Sequence, residues 1–464
     1  MRTDTIAAIA TAVANAGIGI VRISGEEAFA VIDKVYRPRK GEKKLSLAQS
    51  HTVHYGYICD GEKIVDEAMV LILRAPNTYT REDTVEIDCH GGALVLQRVL
   101  ETVVKHGART AEPGEFTKRA FLNGRIDLSQ AESVMDLIQA KNDFALASSV
   151  CQLQGQVKEK ISEIRQKILY EIAFIESVLD DPEHSSFEGH EGKLMQQIEG
   201  AAGEIQDLLL SSENGALLKE GIHTVIVGKP NVGKSSLMNV LVGRERAIVT
   251  EIAGTTRDIL EEQINLNGIS LNIVDTAGIR DTVDQVEKIG VARTEEYLAR
   301  ADFVIYVIDA SVELDENDER ILGMLAGRHK AAALLNKSDL VQVVTEEDLR
   351  HRMEEKNADF PVISISAKER TGIRELEHLV KELFLQGEIQ GNDQVYITNI
   401  RQKSALQSAL ESLQLVKKSI GDGMPEDFYS IDLMDAYESL GSIIGESVGE
   451  DLIHEIFSKF CMGK

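Results

Sequence analysis

Tryptophan is absent from the 464 residues, and 12 phenylalanines with 10 tyrosines bring the aromatic share to only 5%. Cores built from this chain must therefore be mostly aliphatic. Prolines number only 7, and the hydrophobic share is 43%, which argues against a disordered chain and for packed globular domains. Positive charge is also scarce: 50 Lys and Arg against 76 Asp and Glu leave 50 − 76 = −26. A protein that wraps nucleic acid has the opposite balance, so any RNA partner must be met by a local patch or by another subunit. The four cysteines, Cys59, Cys89, Cys151 and Cys461, form no Cys-x-x-Cys pair. That argues against zinc and redox pairs and fits a reducing compartment. No run is long enough to span a membrane. The apolar stretch 6–21 could pass for a secretion leader with a cleavage site at Ala12-Val13-Ala14. Asp4 stands where a leader is basic, however, and Gly17 and Gly19 interrupt the run. The chain reads as cytoplasmic, with no membrane partner.

What is present points to a multidomain α+β protein of roughly three domains at about 150 residues each. Residues 1–118 mix strand and helix signals. Residues 19–24 read as a strand; residues 51–58 and 64–73 flank Asp60-Gly61, a hairpin dipeptide. Residues 84–88 alternate at strand period, and Val95, Val99 and Val103 recur on a helix that Gly107 ends. Residues 119–215 turn helical, with one apolar face at Ile168, Ile172, Ile175 and Leu179 and another at Leu194, Ile198, Ala202 and Ile205. Strands and helices alternate over 216–384. Helical spacing returns over 385–464, at Leu406, Leu410, Leu413 and Val416, then from Leu433 through Tyr437, Leu440 and Ile444 to Phe460. The simplest arrangement is a helical domain in two sequence halves with a Ras-like α/β domain inserted between them.

The inserted segment carries the chemistry. The short apolar strand 223–227 runs into Gly228-Lys229-Pro230-Asn231-Val232-Gly233-Lys234-Ser235, followed by the helical Ser236. This is the phosphate-binding loop pattern: the backbone N–H groups face the phosphates beside a helix N-terminus, Lys234 reaches the terminal phosphates, and Ser235 binds magnesium. Asp275-Thr276-Ala277-Gly278 follows the strand 270–274, itself joined to 262–266 by the hairpin dipeptide Asn267-Gly268. Asp275 can hold magnesium through water, and the Gly278 N–H can sense the terminal phosphate. Asn336-Lys337-Ser338-Asp339 follows the apolar run 331–335, and a carboxylate there accepts guanine's N1–H and amine, which adenine cannot supply. Ser366, Ala367 and Lys368 close the base pocket. The loop Thr250, Glu251, Ile252, Ala253, Gly254, Thr255, Thr256 is a switch whose Thr256 hydroxyl completes the magnesium shell. This is a GTP site.

Many small GTPases place a glutamine just after Asp-x-x-Gly to orient water; here that position is Ile279. A monovalent cation can instead meet the charge on the leaving oxygen, with Asn231, Thr250, Ile252 and Thr255 offering oxygens, and Glu287 could polarise water. The catalytic candidates are thus Glu287, Asn231 and Lys234.

Further segments carry a resemblance: residues 19–25 (Gly-Ile-Val-Arg-Ile-Ser-Gly), Ala75-Pro76-Asn77-Thr78-Tyr79-Thr80, His90-Gly91-Gly92, Glu112-Pro113-Gly114-Glu115-Phe116-Thr117, residues 119–124, and Cys461-Met462-Gly463-Lys464. Together with the nucleotide motifs, the chain resembles the tRNA modification GTPase family (MnmE, or TrmE) over essentially its full length. The resemblance implies an N-terminal folate-binding and dimerisation domain, 5-formyl-tetrahydrofolate or a related folate held by Arg22, Glu86, Arg125 and Lys464, and potassium at the four positions above. It also implies GTP-driven placement of an aminomethyl-type group on carbon 5 of the wobble uridine of certain tRNAs. The implied partners are tRNA and an FAD-containing (MnmG-like) protein, with a homodimer inside a heterotetramer. Cys461 would be a candidate functional thiol. The chain departs from the family where a glycine-rich stretch after the first strand is replaced by Ala12-Val13-Ala14-Asn15-Ala16, and more mildly at Met462.

Gly445-Glu446-Ser447-Val448-Gly449 matches the nucleophile elbow of hydrolases, but it lies in helical periodicity without the preceding strand that motif needs. The competing reading is a regulatory ribosome-assembly GTPase. Such proteins usually add a basic RNA-binding module or a second GTPase domain, and this acidic chain has neither.

Overall fold

The structure is a computed structural model that describes residues 4–42, 44–180, 189–242, 261–266, 269–275, 297–384, 397–446, 449–458, 460 and 463. The chain divides into two compact units, one of residues 1–138, 152–202 and 405–464, the other of residues 139–151 and 203–404.

The first unit is built on a seven-stranded sheet. Its strands are β1 (Ile6–Ile9), β2 (Ala16–Ser24), β3 (Tyr36–Pro38), β4 (Thr52–Asp60), β5 (Lys63–Leu73), β6 (Thr84–Gly91) and β7 (Arg109–Thr110), in the order β3-β4-β5-β6-β2-β1-β7. Every pair is antiparallel except β1 with β7. The stretch 6–21 forms most of a hairpin, with Ile6 opposite Ser24 and Ile9 opposite Val21. The β4–β5 hairpin forms as expected, but Asp60 pairs with Lys63, so the loop is Gly61-Glu62, one residue later than the dipeptide suggested. Gly61 has a φ of +63° there, which is the conformation the turn requires.

Helix α1 (Ala28–Val35) and helix α2 (Ala93–Lys105) cover one face of this sheet, burying Phe29, Ile32, Leu96, Val99 and Val103 with Val21, Ile23, Val70, Ile72, Val85 and Ile87. At about 1.5–3 kcal/mol for each large aliphatic side chain, this layer dominates the unit's cohesion. The helical part follows with α3 (Glu115–Leu122), α4 (Leu128–Gln139) and α6 (Gln156–Asp180), while most of the intervening α5 (Asp143–Leu153) belongs to the second unit. The buried stripe of α6 is Ile161, Ile164, Ile168, Ile172, Ile175 and Val178, while Leu179, expected inside, is 43% exposed. Helix α7 (Glu191–Glu220) buries Ala201 rather than the expected Ala202. Both misses are one position, where the 3.6-residue period drifts from a strict i, i+4 count. Helix Glu426–Ile444 packs along α6, so helices from both sides of the α/β segment share this unit. The elbow-like Gly445-to-Gly449 lies between that helix, which Gly445 caps at φ +89°, and helix Glu450–Ser458; Ser447 and Val448 lie outside the described residues. A helix, not a strand, precedes it, which removes the hydrolase reading.

The second unit holds a six-stranded sheet of β8 (Ile222–Val227), β9 (Glu261–Leu266), β10 (Ile269–Asp275), β11 (Phe303–Asp309), β12 (Ala331–Asn336) and β13 (Val362–Ser364), ordered β13-β12-β11-β8-β10-β9. All pairs are parallel except the hairpin β9–β10. The central strands are apolar at nearly every position because helices bury both faces: all seven residues of β11 are buried. Phe144 of α5 belongs to this unit's core with Ile226, Leu237, Ile264 and Phe303. Among the described residues no helix is long and apolar enough to cross a membrane.

Candidate functional site

The parallel strands of the second unit end on one edge, and the nucleotide motifs lie where they end, as ligand loops do in open α/β sheets. From β8 the chain enters the loop 228–233 and then α8 (Lys234–Val242). Asn231 takes a left-handed φ of +62° and is exposed; Val232 is buried beneath it. Gly233 has a φ of +103°, and a Cβ there would stand 2.2 Å from Asn336 Nδ2, so neither backbone nor space admits a side chain. The Lys234 ammonium donates to the carbonyls of Gly228 (2.6 Å) and Lys229 (2.7 Å), which holds its charge over the loop. Ser235 and Ser236 open α8, exposed at its positive end. Asp275 ends β10 with its backbone opposite Ile226, two residues before the loop begins.

Asn336 links the two halves of the site. It is 2% exposed; its Nδ2 donates to Val232 O (2.7 Å) and its Oδ1 accepts from Ala367 N (3.0 Å). One side chain thus ties the phosphate loop to the base loop. Asp339 Oδ1 accepts from Ser366 Oγ (2.6 Å), a hydrogen bond that holds the Asp339 carboxyl below its ordinary range. Ser366 Oγ also accepts from Glu369 N (3.1 Å), and the Ser366 and Thr371 backbones bridge one another, so the base loop is internally braced. Lys337, at φ +65°, is ion-paired with Asp309 at the end of β11, and Lys368 is exposed beside Asp339. Asp309 was not read from the sequence, because an aspartate at a strand end carries no mark of its own. Its register partner Asn336 is the signal that could have found it. Thr250, Glu251, Ile252, Ala253, Gly254, Thr255, Thr256, Thr276, Ala277, Gly278 and Glu287 lie outside the described residues.

In the first unit, three of the four residues suggested for folate come together. Arg22 and Glu86 are register partners on β2 and β6, and Arg22 Nε donates to Glu86 Oε1 at 2.8 Å. The Arg22 guanidinium lies 5.6 Å from the ring centres of both Tyr79 and Phe116, and that of Arg125 lies 4.7 Å from Tyr79. Arg125 Nη1 also donates to Tyr79 O (3.2 Å), and Tyr79 Oη bonds Thr117 Oγ1 (2.9 Å). Tyr79, named in a motif but not singled out, is the half-exposed aromatic face of this shelf, and Phe116 packs in the core behind it.

An ion network stands behind the shelf. Arg119, nearly buried, bonds Asp4, Glu82 and Glu115, while Arg109 bonds Asp4 and Glu115. Burial pushes the Glu115 carboxyl up, but Arg109 and Arg119 more than offset it and leave it below the usual range. Because α3 carries Phe116 and Thr117 between Glu115 and Arg119, the network fixes the aromatic shelf. Lys464 and Cys461 lie outside the described residues. Gly463, however, has a φ of +86°, and a Cβ on it would meet Ile9 O at 2.2 Å, so the backbone at Gly463 lies against the end of β1, the neighbour of β2. Phe460 joins Ala120, Ile126 and Phe457 in a buried cluster that Tyr79 borders.

The site residues present suit their groups. Ser235 supplies a hard oxygen at a helix N-terminus, as a magnesium–phosphate site needs, and two arginines, a carboxylate and the Tyr79 ring suit a polar, flat, anionic folate. Two family models match: "GTP-binding protein TrmE N-terminus" over residues 5–125 and "MnmE helical domain" over residues 128–461. The chain is 57% identical over 464 residues to the tRNA modification GTPase MnmE of Lachnoclostridium phytofermentans, covering 100% of both chains. It is 49% identical over 465 residues to that of Acetivibrio thermocellus, again 100% of both. The protein of the same name from Geobacillus kaustophilus is 46% identical, with 99% of each chain covered.

Proposed function

Since the chain belongs to the MnmE family of tRNA modification GTPases, we propose that it is a potassium-activated GTPase that installs an aminomethyl-type group on carbon 5 of the wobble uridine. It does so with an FAD-containing, MnmG-like partner and a folate one-carbon donor, as a homodimer within a heterotetramer in the cytoplasm. Its domains in this reading are 1–118, 119–215, 216–384 and 385–464.

In the GTPase step, the N–H groups of the loop 228–233, the α8 N-terminus and Lys234 bind and orient the phosphates, and Asp339 selects guanine. Asn336 keeps the two loops in register by its bonds to Val232 and Ala367. Magnesium, which Ser235 and Thr256 would hold with Asp275 through water, neutralises phosphate charge when bound. Potassium, which Asn231, Thr250, Ile252 and Thr255 would hold, supplies the positive charge an arginine finger gives elsewhere. Glu287 orients the water. The left-handed, exposed Asn231 in the loop is what this structure offers in support of that cation site.

The observation that carries the folate part is the convergence of Arg22, with its partner Glu86, and Arg125 on the Tyr79 ring: the three are 39 to 103 residues apart in the sequence (125 − 86 and 125 − 22), yet both guanidiniums lie within 5.6 Å of one aromatic ring centre. Glu86 accepts from the pterin's ring N–H and amine, and Lys464 adds positive charge from the tail. Titration of 5-formyl-tetrahydrofolate into the full-length chain tests it. Glu86→Gln and Tyr79→Leu are each expected to weaken binding about tenfold or more, with GDP affinity unchanged. Wild-type affinity in both variants would contradict the assignment.

A further inference from the structure

Beside the shelf lies an open cavity of about 480 Å³ whose walls include His51, Pro76, Asn77, Tyr79, Arg81 and Arg125. No aspartate or glutamate lines it, in a chain whose formal charge is −26. Its two guanidiniums are anchored by main-chain oxygens rather than by carboxylates: Arg81 Nη1 donates to Asn123 O (2.9 Å), and Arg125 Nη1 to Tyr79 O (3.2 Å). Each guanidinium has five N–H donors, so most of the fork remains for a ligand.

The backbone gives a second, independent observation. Six non-glycine residues in the described chain have left-handed φ: Asn357 follows the C-terminus of helix Glu346–Glu355 and Arg370 lies in the turn after the base loop, while the other four stand at the two sites. Asn231 (+62°) and Lys337 (+65°) lie in the nucleotide loops, while His51 (+61°) and Arg81 (+60°) both line this cavity. Such conformations cost energy and persist where the surroundings hold a side chain in a needed place.

Arg125 belongs to both the shelf and the cavity, so the cavity begins where the shelf ends. A folate lying with its pterin at Glu86 would direct its glutamyl end there. We propose that this cavity is a subsite for the γ-linked oligoglutamate chain of the folate, with successive carboxylates paired to Arg125 and Arg81 and with His51 flanking them. The proposal rests on the folate reading of the shelf.

The test compares the full-length protein's affinity for 5-formyl-tetrahydrofolate carrying one glutamate with that for the form carrying three, at low and at physiological salt. At low salt the triglutamate is expected to bind about tenfold more tightly, a preference that salt weakens. Arg81→Ala should bring the ratio of the two affinities towards one. His51→Ala, which leaves the Arg81–Asn123 bond in place, should reduce it in part. Equal affinity of the wild type for both forms would overturn the subsite while leaving the shelf's folate reading intact. Binding of neither form would overturn both. A preserved ratio in Arg81→Ala, with tRNA affinity lost instead, would assign the cavity to an RNA backbone and refute the proposal.

Discussion

Replacing Asn336 by alanine removes both hydrogen bonds that join the phosphate loop to the base loop, at 2.7 Å to Val232 O and 3.0 Å from Ala367 N. The two backbone groups left behind are in a buried setting, since Asn336 is 2% exposed and Val232 equally so. Leaving a buried polar group without a partner costs about 1–3 kcal/mol, which puts the two together at roughly 2–6 kcal/mol if nothing relaxes. Loops at a sheet edge do relax and admit water, so the lower part, about 2–4 kcal/mol, is the expected range. A nucleotide must then restore the arrangement as it binds, which corresponds to a loss of about 30-fold to 1,000-fold in affinity. Asn336→Asp sharpens the test. It keeps an acceptor for Ala367 N but sets a carboxylate against the Val232 carbonyl, so it should do no better than alanine. Displacement of a fluorescent GDP analogue from the full-length protein, with magnesium present, gives the number. A change smaller than threefold in both variants would refute the tie between the loops.

Asp339→Asn should weaken GDP binding and move preference towards xanthosine diphosphate, read by competition between the two; unchanged guanine preference would remove Asp339 from the base pocket. The Ser366 hydroxyl holds the Asp339 carboxyl low, so guanine recognition is complete above about pH 4 and is lost only as the pH falls through the depressed value. Ser366→Ala should move that acid limit upward, which a pH series of GDP affinities will show. GTP hydrolysis in potassium should exceed that in sodium at equal ionic strength, and equal rates would take the cation role from Asn231.

The nucleotide loops were legible in the sequence because their chemistry is local. The backbone of residues 228–235 and the run 336–339 act within a few residues, flanked by strands whose uniform burial reads as apolar runs. What escaped was long-range pairing. The apolar stretch 6–21 hides a turn, since alternating hairpin strands joined through Ala12 to Ala14 look like one continuous run until Ile9 is seen opposite Val21. Tyr79 became the centre of the shelf only when the fold brought Arg22, Phe116, Thr117 and Arg125 to it. The network of Arg119 with Asp4, Glu82 and Glu115 spans over a hundred residues and left no periodic trace. On the helices, Val178 and Ala201 took the buried places expected for Leu179 and Ala202, because the 3.6-residue period departs from a strict i, i+4 count within a few turns.

The central claim is that this chain drives wobble-uridine modification, and nucleoside mass spectrometry of bulk tRNA tests it directly. A host lacking its own copy, with a compatible partner protein, would receive either this chain or a version truncated before Cys461. The account predicts that the full chain restores the modified wobble uridine and that the truncated one does not, because in the proposed reading Lys464 contributes to the folate site. Absence of the modified nucleoside with the full chain, when that protein is folded and hydrolysing GTP, would contradict it.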